Sequence, residues 1–163
     1  MPISPYVREL RARVGTARLL LPSVSAHIFD ESGRLLLVRQ RDGDVWSTPG
    51  GSIEPDERPA DAVVRETWEE TGLVVTPRRL LAVYGGPEFV VRYPNGDEAQ
   101  YVIVVFACEV IGGELRRDSE ETLEARYFTQ TEAERLRLSS WLRATLATVY
   151  AQKPFDSPSW RPS

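Results

Sequence analysis

Hydrophobic residues in the first third of the chain follow a strand-like pattern. Two apolar runs, residues 18–29 (RLLLPSVSAHIF) and 34–40 (RLLLVRQ), are separated by the turn-forming sequence DESG. This pattern predicts a β-hairpin. Residues 41–48 form a short extended piece that leads into the sequence PGG, where regular structure should stop.

Helical spacing of the apolar residues occurs in three other segments. Residues 4–14 combine a capping serine with apolar side chains about four residues apart, which predicts a short amphipathic helix. Residues 59–71 start with a proline and contain no glycine before Gly72, so they predict a helix of about three turns that ends at a glycine. Residues 131–151 predict one broken helix or two short ones.

The remaining apolar segments predict further strands. Residues 78–86 and 88–110 contain two strands around the sequence NG, which is typical of a hairpin. Residues 101–110 are largely apolar on both alternating faces, as in a strand that is covered on both sides. Residues 124–128 add one more strand. This mixed order of elements predicts an α/β fold in which a mixed β-sheet lies between helices.

Length and composition predict a single soluble domain. The chain has 163 residues, of which 42% are hydrophobic and 27% are charged, values that are ordinary for a globular domain. We expect the domain to span residues 1–152 and residues 153–163 to form a loosely held tail. The chain start lacks the apolar segment of a secretion signal, and no stretch approaches the roughly 18 apolar residues of a membrane span. Cys108 is the single cysteine. Without an intramolecular disulfide, a cytoplasmic location is the expectation.

The net charge limits the classes of ligand. With 24 acidic and 20 basic residues the chain carries a net charge of −4, which argues against stable binding of nucleic-acid polymers. An anionic small molecule would need a metal ion or a local arginine cluster.

An acidic cluster lies on the predicted helix at residues 59–71. Glu66, Glu69 and Glu70 (the three clustered glutamates) share an arc of about 100° on the helix surface. Glu66 and Glu70 repel each other, and only Glu69 has a cation, Arg65, one turn away. A solvated helix face is one interpretation. A bound divalent cation is the other, because it would remove the repulsion and Mg²⁺ prefers oxygen ligands.

The spacing of residues around this cluster resembles the Nudix box. The matching positions are Gly51, Glu57, Arg65, Glu66, Glu69, Glu70, Gly72 and the aliphatic Leu73. The one departure is Thr67, where the family usually carries an aliphatic residue. On the predicted helix Thr67 lies on the packed face, where its methyl group can pack and its hydroxyl can donate to the carbonyl of Val63.

The resemblance implies a fold and a reaction. The implied fold is the Nudix α/β/α sandwich, with a mixed β-sheet between helices, over about residues 20–135. The implied reaction is hydrolysis of a phosphoanhydride bond in a nucleoside diphosphate linked to another moiety, such as a nucleotide sugar, ADP-ribose or a dinucleoside polyphosphate. The implied cofactor is Mg²⁺ or Mn²⁺. Two alternatives remain open: a pyrophosphohydrolase that removes non-standard (d)NTPs, and a non-catalytic nucleotide-sensing Nudix module. A homodimer, to which the helix at residues 4–14 would contribute, is expected by analogy.

The resemblance also implies roles for individual residues. The metal ligands would be the three clustered glutamates and the backbone carbonyl of Gly50. Glu57 would help to orient the site, and Arg65 would position a neighbouring carboxylate. Glu66 and Glu70 are both candidates for the general base.

Two further sets of residues are candidates for the site. Family members often add a carboxylate from a distant loop, and residues 118–124 offer three glutamates, of which Glu121 is the first choice. A polar surface loop is the alternative interpretation. For substrate contacts, aromatic rings could stack on a base and arginines could meet a phosphate, with core or surface roles as the alternative. These candidates are Arg39, Trp46, Tyr84, Phe89 and Arg92.

Overall fold

The structure, a computed structural model, describes residues 4–41, 44–116 and 119–151. The tail expected at residues 153–163 lies outside these ranges. In chain order the helices and strands are α1 (Pro5–Val14), β1 (Leu19–His27), β2 (Leu35–Gln40), β3 (Val45–Ser47), α2 (Pro59–Thr71), β4 (Leu73–Tyr84), β5 (Val90–Arg92), β6 (Glu98–Gly113), β7 (Thr122–Phe128), α3 (Gln130–Glu134) and α4 (Ser140–Tyr150). Of the helices in the described ranges, none is long and apolar enough to cross a membrane.

The strands are divided between two sheets. In the first sheet the order is β1, β6, β4, and β5 also pairs with β6. β1 runs parallel to β6, whereas β4 and β5 run antiparallel to it, so this sheet is mixed. In the second sheet β3 and β7 flank β2, and both pairings are antiparallel. The predicted α/β class with a mixed sheet is confirmed, and the second sheet is an addition to it.

The hairpin predicted for the first two strands is wrong, because β1 and β2 belong to different sheets. The two segments are joined only next to the turn, by a bridge between Phe29 and Leu35 and by hydrogen bonds from Asp30 N–H to the carbonyl of Arg34 at 3.0 Å and from Leu36 N–H to the carbonyl of Ile28 at 2.9 Å. One edge of β1 is paired with β6, and the other edge is occupied by the loop that precedes α2, where Val24 N–H donates to the carbonyl of Gly51 at 2.9 Å. A parallel partner so distant in sequence leaves no local turn signal.

Three other local predictions are confirmed. A helix, α1, lies in the first segment, and Val7 N–H donates to the capping hydroxyl of Ser4 at 3.1 Å. Asn95 and Gly96 lie in the turn between β5 and β6, which pair antiparallel. The segment at residues 131–151 forms two helices, α3 and α4.

Alternating side chains of β2 show how helices cover both faces. Leu35 and Leu37 pack in a buried cluster with Leu142 of α4, whereas Leu36 packs in another cluster with Val63 of α2. All five side chains are fully buried. Burying a leucine or valine side chain contributes about 1.5–3 kcal/mol, so this alternation stabilises a layered α/β/α arrangement.

Helix α2 begins and ends where the sequence predicts. Pro59 is its first residue, and Gly72 follows its last turn in a left-handed conformation, with its N–H donating to the carbonyl of Trp68 at 2.8 Å. Thr67 is fully buried, and its hydroxyl donates to the carbonyl of Val63 at 2.7 Å. The threonine therefore fits the packed face of the helix.

We expect Gly72→Ala to destabilise the fold more than Gly33→Ala. Both glycines have left-handed φ angles, 75° and 72°, so alanine costs about 1 kcal/mol at either position. At Gly72 a Cβ atom would also lie 2.7 Å from the carbonyl oxygen of Glu114, whereas nothing lies within 4 Å at Gly33. Urea unfolding should give a loss of about 1 kcal/mol for Gly33→Ala and about 2–3 kcal/mol for Gly72→Ala. Equal losses would contradict the role of this close contact.

Candidate functional site

The loop before α2 is held against β1 and allows a close approach of side chains. The carbonyl of Gly51 accepts hydrogen bonds from Val24 N–H at 2.9 Å and from the hydroxyl of Ser23 at 2.7 Å. A Cβ atom at Gly51 would lie 2.5 Å from the carboxylate carbon of Glu66, and one at Gly50 would collide with the carbonyl of Val24. Only glycines therefore allow Glu66 to lie directly against this loop.

Arg65 joins three carboxylates of the site. It donates from Nε and Nη2 to the two carboxylate oxygens of Glu57, at 2.8 and 2.9 Å. Nη1 donates to Glu66 at 2.8 Å and to Glu69 at 3.0 Å, and Nη2 also donates to the carbonyl of Ser52 at 3.1 Å. These bonds use all five N–H donors of a guanidinium. The same contacts lower the pKa of Glu57.

Glu66 and Glu70 are buried carboxylates with raised pKa values. Their exposed fractions are 4% and 1%. Desolvation raises the pKa of Glu66 to about 7, although Arg65 opposes the shift. Desolvation also raises the pKa of Glu70 well above its usual value, against a hydrogen bond that Gly50 N–H donates at 2.9 Å. Repulsion from Glu121 contributes to both shifts, so negative charge is concentrated at this point.

The loop before β7 brings Glu121 to this cluster. The hydroxyl of Thr122 donates to the backbone carbonyl of Glu70 at 2.9 Å, which ties the start of β7 to the end of α2. The hydroxyl of Ser119 accepts from the N–H groups of Glu121 and Thr122, at 3.2 and 3.1 Å. Glu121 lines the same cleft as Glu66. This long-range contact places the first-choice distal carboxylate beside the helix glutamates.

Two cavities meet at these carboxylates. The large cleft, of about 1520 Å³, is lined by Glu66, Glu69 and Glu121 together with residues of α1 and of the β5–β6 hairpin. The small pocket, of about 340 Å³, is lined by Glu70, Glu121 and the ring of Trp141. Nine residues that carry hydroxyl groups also line the small pocket: Ser23, Ser25, Ser47, Thr48, Ser52, Tyr93, Tyr101, Ser139 and Ser140. A ligand with two parts could therefore occupy both cavities with its centre at the carboxylates.

The chemistry of the donor set fits a hard divalent cation. Carboxylate oxygens are the ligands that Mg²⁺ and Mn²⁺ prefer, and two buried carboxylates with raised pKa values favour added positive charge. Among residues 4–41, 44–116 and 119–151, no three acidic, histidine or cysteine side chains are grouped closely enough to form a ready metal site. In the structure these carboxylates accept hydrogen bonds from protein groups: one oxygen each of Glu66 and Glu69 accepts from Arg65, and one oxygen of Glu70 accepts from the N–H of Gly50.

Three aromatic residues that were candidates for substrate binding lie in the core instead. Trp46 is 8% exposed and packs edge-on against Phe128, with ring centroids 4.9 Å apart. Tyr84 and Phe89 are 2% and 4% exposed and stack on each other, with centroids 6.1 Å apart. Because these rings are buried against other side chains, they offer no face to a nucleobase. Their interpretation as substrate contacts is therefore corrected.

The two candidate arginines lie in different environments. Arg39 forms ion pairs with Asp44 at 3.2 Å and with Glu124 at 3.7 Å, and it lines neither cavity. Arg92 forms an ion pair with Glu98 at 2.7 Å and lines the large cleft. Of the two, Arg92 alone is placed to meet a ligand there.

Sequence reasoning missed three side chains of the cavities. Trp68 is 52% exposed and lines the large cleft together with Arg116, whose guanidinium carbon lies 5.3 Å from the centroid of its ring. The signal for Trp68 was a large aromatic residue between the helix glutamates. Arg116 and Trp141 had no local signal, because the β6–β7 connection and α4 reach the site only through the fold.

We expect Arg65→Ala to lower the free energy of unfolding by about 2–3 kcal/mol, because it leaves Glu66 buried without a cation and removes five hydrogen bonds. The matched control is Arg78→Ala, which removes an exposed ion pair with Glu109 and should cost about 0–1 kcal/mol. Chemical denaturation measures both values. Similar losses in the two variants would show that Arg65 does not hold the cluster together.

Comparisons with known proteins match most of the chain. A sequence profile of the NUDIX domain matches residues 19–149. The chain is 39% identical over 100 residues to a MutT-like protein of Streptomyces ambofaciens, covering 61% of this chain and 58% of that protein. It is 35% identical over 113 residues to an ADP-ribose pyrophosphatase of Methanocaldococcus jannaschii, covering 67% and 63%. The chain thus spans about three fifths of the length of these curated relatives.

A solved structure supports the fold. The crystal structure of a MutT protein from Methanosarcina mazei Go1 superimposes with a TM-score of 0.68 at 23% sequence identity, covering 83% of this chain and 96% of that chain. At this identity the likeness concerns the fold alone, and it agrees with the layered α/β arrangement.

Proposed function

This chain belongs to the Nudix family, and from that premise we propose that it hydrolyses a phosphoanhydride bond in a nucleoside diphosphate linked to another moiety, with Mg²⁺ or Mn²⁺ as cofactor. The observation that carries the proposal is the convergence of the three clustered glutamates with Glu121 at the junction of two cavities.

The two cavities favour a substrate with two moieties. The small pocket has a volume in the range of about 300–1,000 Å³ that is usual for ligand sites. Its hydroxyl groups and the ring of Trp141 suit a nucleoside. The large cleft is open enough to accept a variable second group. A diphosphate that links the two moieties would then lie at the carboxylates.

The chain's own groups suit the binding of a divalent cation beside such a diphosphate. The ligands would be Glu66, Glu69, Glu70 and the backbone carbonyl of Gly50, with Glu121 as a further carboxylate. When bound, the cation would neutralise phosphate oxygens and increase the acidity of an attacking water. Each of these ligands comes from α2 or from a loop that is hydrogen-bonded to it.

The remaining residues hold these groups in position. Arg65 holds Glu57, Glu66 and Glu69 through its guanidinium, and Gly50 N–H holds Glu70. Such restraint reduces the reorganisation needed to reach a reactive geometry. Glu66 and Glu70 both remain candidates to accept the proton of the attacking water.

A substrate screen distinguishes this proposal from its alternatives. Nucleotide sugars, ADP-ribose, dinucleoside polyphosphates and nucleoside triphosphates should be tested with Mg²⁺ and with Mn²⁺. The proposal expects two phosphate-bearing products from a two-moiety substrate. Release of pyrophosphate from a triphosphate would instead support a (d)NTP pyrophosphohydrolase. Tight binding without any product would support a nucleotide-sensing module.

We expect Glu69→Gln to lower metal-dependent turnover by about 100-fold or more, because loss of a metal ligand removes several kcal/mol of transition-state stabilisation. The fold should stay nearly intact, since the Glu69 side chain is 40% exposed. Steady-state kinetics on the best substrate and a thermal melt measure the two effects. Glu109→Gln, at an exposed site outside both cavities, is the control. Full activity of Glu69→Gln would contradict the assignment of Glu69 as a metal ligand.

We also expect Glu121→Gln to lower kcat by about tenfold or more, because an outer contributor to a metal site typically affects activity by 10- to 100-fold. The exposed Glu109, which lies outside both cavities, provides the matched control, and Glu109→Gln should leave kcat within about twofold. A comparison of kcat at saturating substrate and metal measures the difference. Identical kcat values for the two variants would exclude Glu121 from the site.

A further inference from the structure

Four arginines in the described part of the chain line the large cleft, and three of them are neutralised there. Arg11 lies 3.5 Å from Asp97, Arg92 lies 2.7 Å from Glu98, and Arg65 is bonded to the site glutamates. Arg116 has no carboxylate partner among the residues that the structure describes. It is therefore the cleft cation with charge available for an anionic ligand.

Arg116 is held by backbone contacts and by an aromatic ring. Its Nη2 donates to the carbonyl of Trp68 at 2.7 Å, and its backbone N–H donates to the carbonyl of Thr71 at 2.8 Å. The guanidinium carbon lies 5.3 Å from the centroid of the Trp68 ring, within the range of a cation–π contact. These contacts leave Nη1 without a hydrogen bond in the described part of the chain.

This pair lies next to the carboxylate cluster. Trp68 precedes Glu69 on α2, and both line the large cleft together with Arg116. Nη2 of Arg116 is also 3.5 Å from the backbone carbonyl of Glu69. A ligand group that occupies the large cleft beside the carboxylates would therefore lie close to Arg116.

The chemistry of Arg116 indicates which group that would be. A guanidinium recognises phosphate through paired, charge-assisted hydrogen bonds, whereas a neutral sugar gains much less from it. We propose that Arg116, held in place by Trp68, binds an additional phosphate in the moiety that occupies the large cleft. The chain would then favour substrates that carry phosphate beyond the cleaved linkage over those that end in a neutral sugar. This inference rests on the proposed function.

A purely structural role predicts a different behaviour. A cation near the C-terminal end of α2 stabilises the helix through its unpaired carbonyls, whichever ligand is bound. Loss of that contact would change stability and would affect all ligands equally. Selective loss of affinity for phosphate-rich ligands therefore distinguishes the two roles.

The test uses methylene-bridged, non-hydrolysable analogues of diadenosine tetraphosphate and of ADP-ribose as probes in isothermal titration calorimetry. For Arg116→Gln we expect Kd for the tetraphosphate analogue to rise by about 10- to 100-fold, the effect of losing hydrogen bonds to a charged group. Kd for the ADP-ribose analogue should stay within about twofold. With hydrolysable substrates the same selectivity should appear in KM, with kcat little changed.

Further variants separate the charge from its support. Arg116→Lys keeps the charge and should restore part of the lost affinity. Trp68→Ala should selectively weaken binding of the tetraphosphate analogue. Trp68→Phe should weaken it less, because an aromatic face remains. Arg78→Gln is the matched control, since Arg78 is an exposed arginine outside both cavities, and it should change neither Kd.

The outcomes separate this inference from the proposed function. The phosphate contact is overturned if Arg116→Gln binds both probes as the wild type does, or if it loses affinity for both probes equally. Failure of the wild type to bind the tetraphosphate analogue overturns it as well. If the selective loss is observed and no substrate is hydrolysed, the phosphate contact stands and the proposed hydrolase function fails. If substrates are hydrolysed but Arg116→Gln causes no selective loss of affinity, the proposed hydrolase function stands and the phosphate contact fails.

Discussion

The guanidinium of Arg65 is the contact on which the site depends most. Burial of Glu66 beside Glu70 opposes folding, because two like charges lose their hydration in one place. Arg65 offsets this cost with one cation whose five donors all find acceptors, including both oxygens of Glu57. The same residue thus stabilises the buried cluster and orients Glu57, Glu66 and Glu69. Glu70 is oriented separately, by the N–H of Gly50.

The loop before α2 connects this cluster to the sheet. Gly50 and Gly51 allow the loop to lie against β1 while the carboxylates of α2 approach its backbone. Since the loop occupies one edge of β1, that strand takes β6 as its partner on the other edge. The arrangement of the first sheet and the geometry of the site therefore follow from the same contact. Both cavities are lined by Ser52 of this loop and by the distal carboxylate of Glu121.

Short-range features were predictable because their physical causes are local. The proline start, the glycine end and the apolar spacing of α2 depend on backbone conformation within one segment, and so does the turn at Asn95 and Gly96. The hairpin proposed for β1 and β2 was wrong, because turn-forming residues carry no information about a strand far away in sequence. Aromatic residues were misjudged for a related reason. Whether a ring such as Tyr84 stacks on a ligand or on Phe89 depends on the layers packed around it.

By itself, the sequence determined the acidic helix, the glycines that flank it and the spacing of its glutamates, since all of these follow from helical periodicity and local backbone preferences. It also determined the family, because that spacing is the family's signature. Tertiary structure alone decided which distant groups complete the site. Arg116 and Trp141 reach the cavities through the β6–β7 connection and α4, and no local pattern marks them, because their positions result from long-range strand pairing and helix packing. Glu121 was the first choice among three loop glutamates, but only the contact between Thr122 and α2 brings it beside the helix.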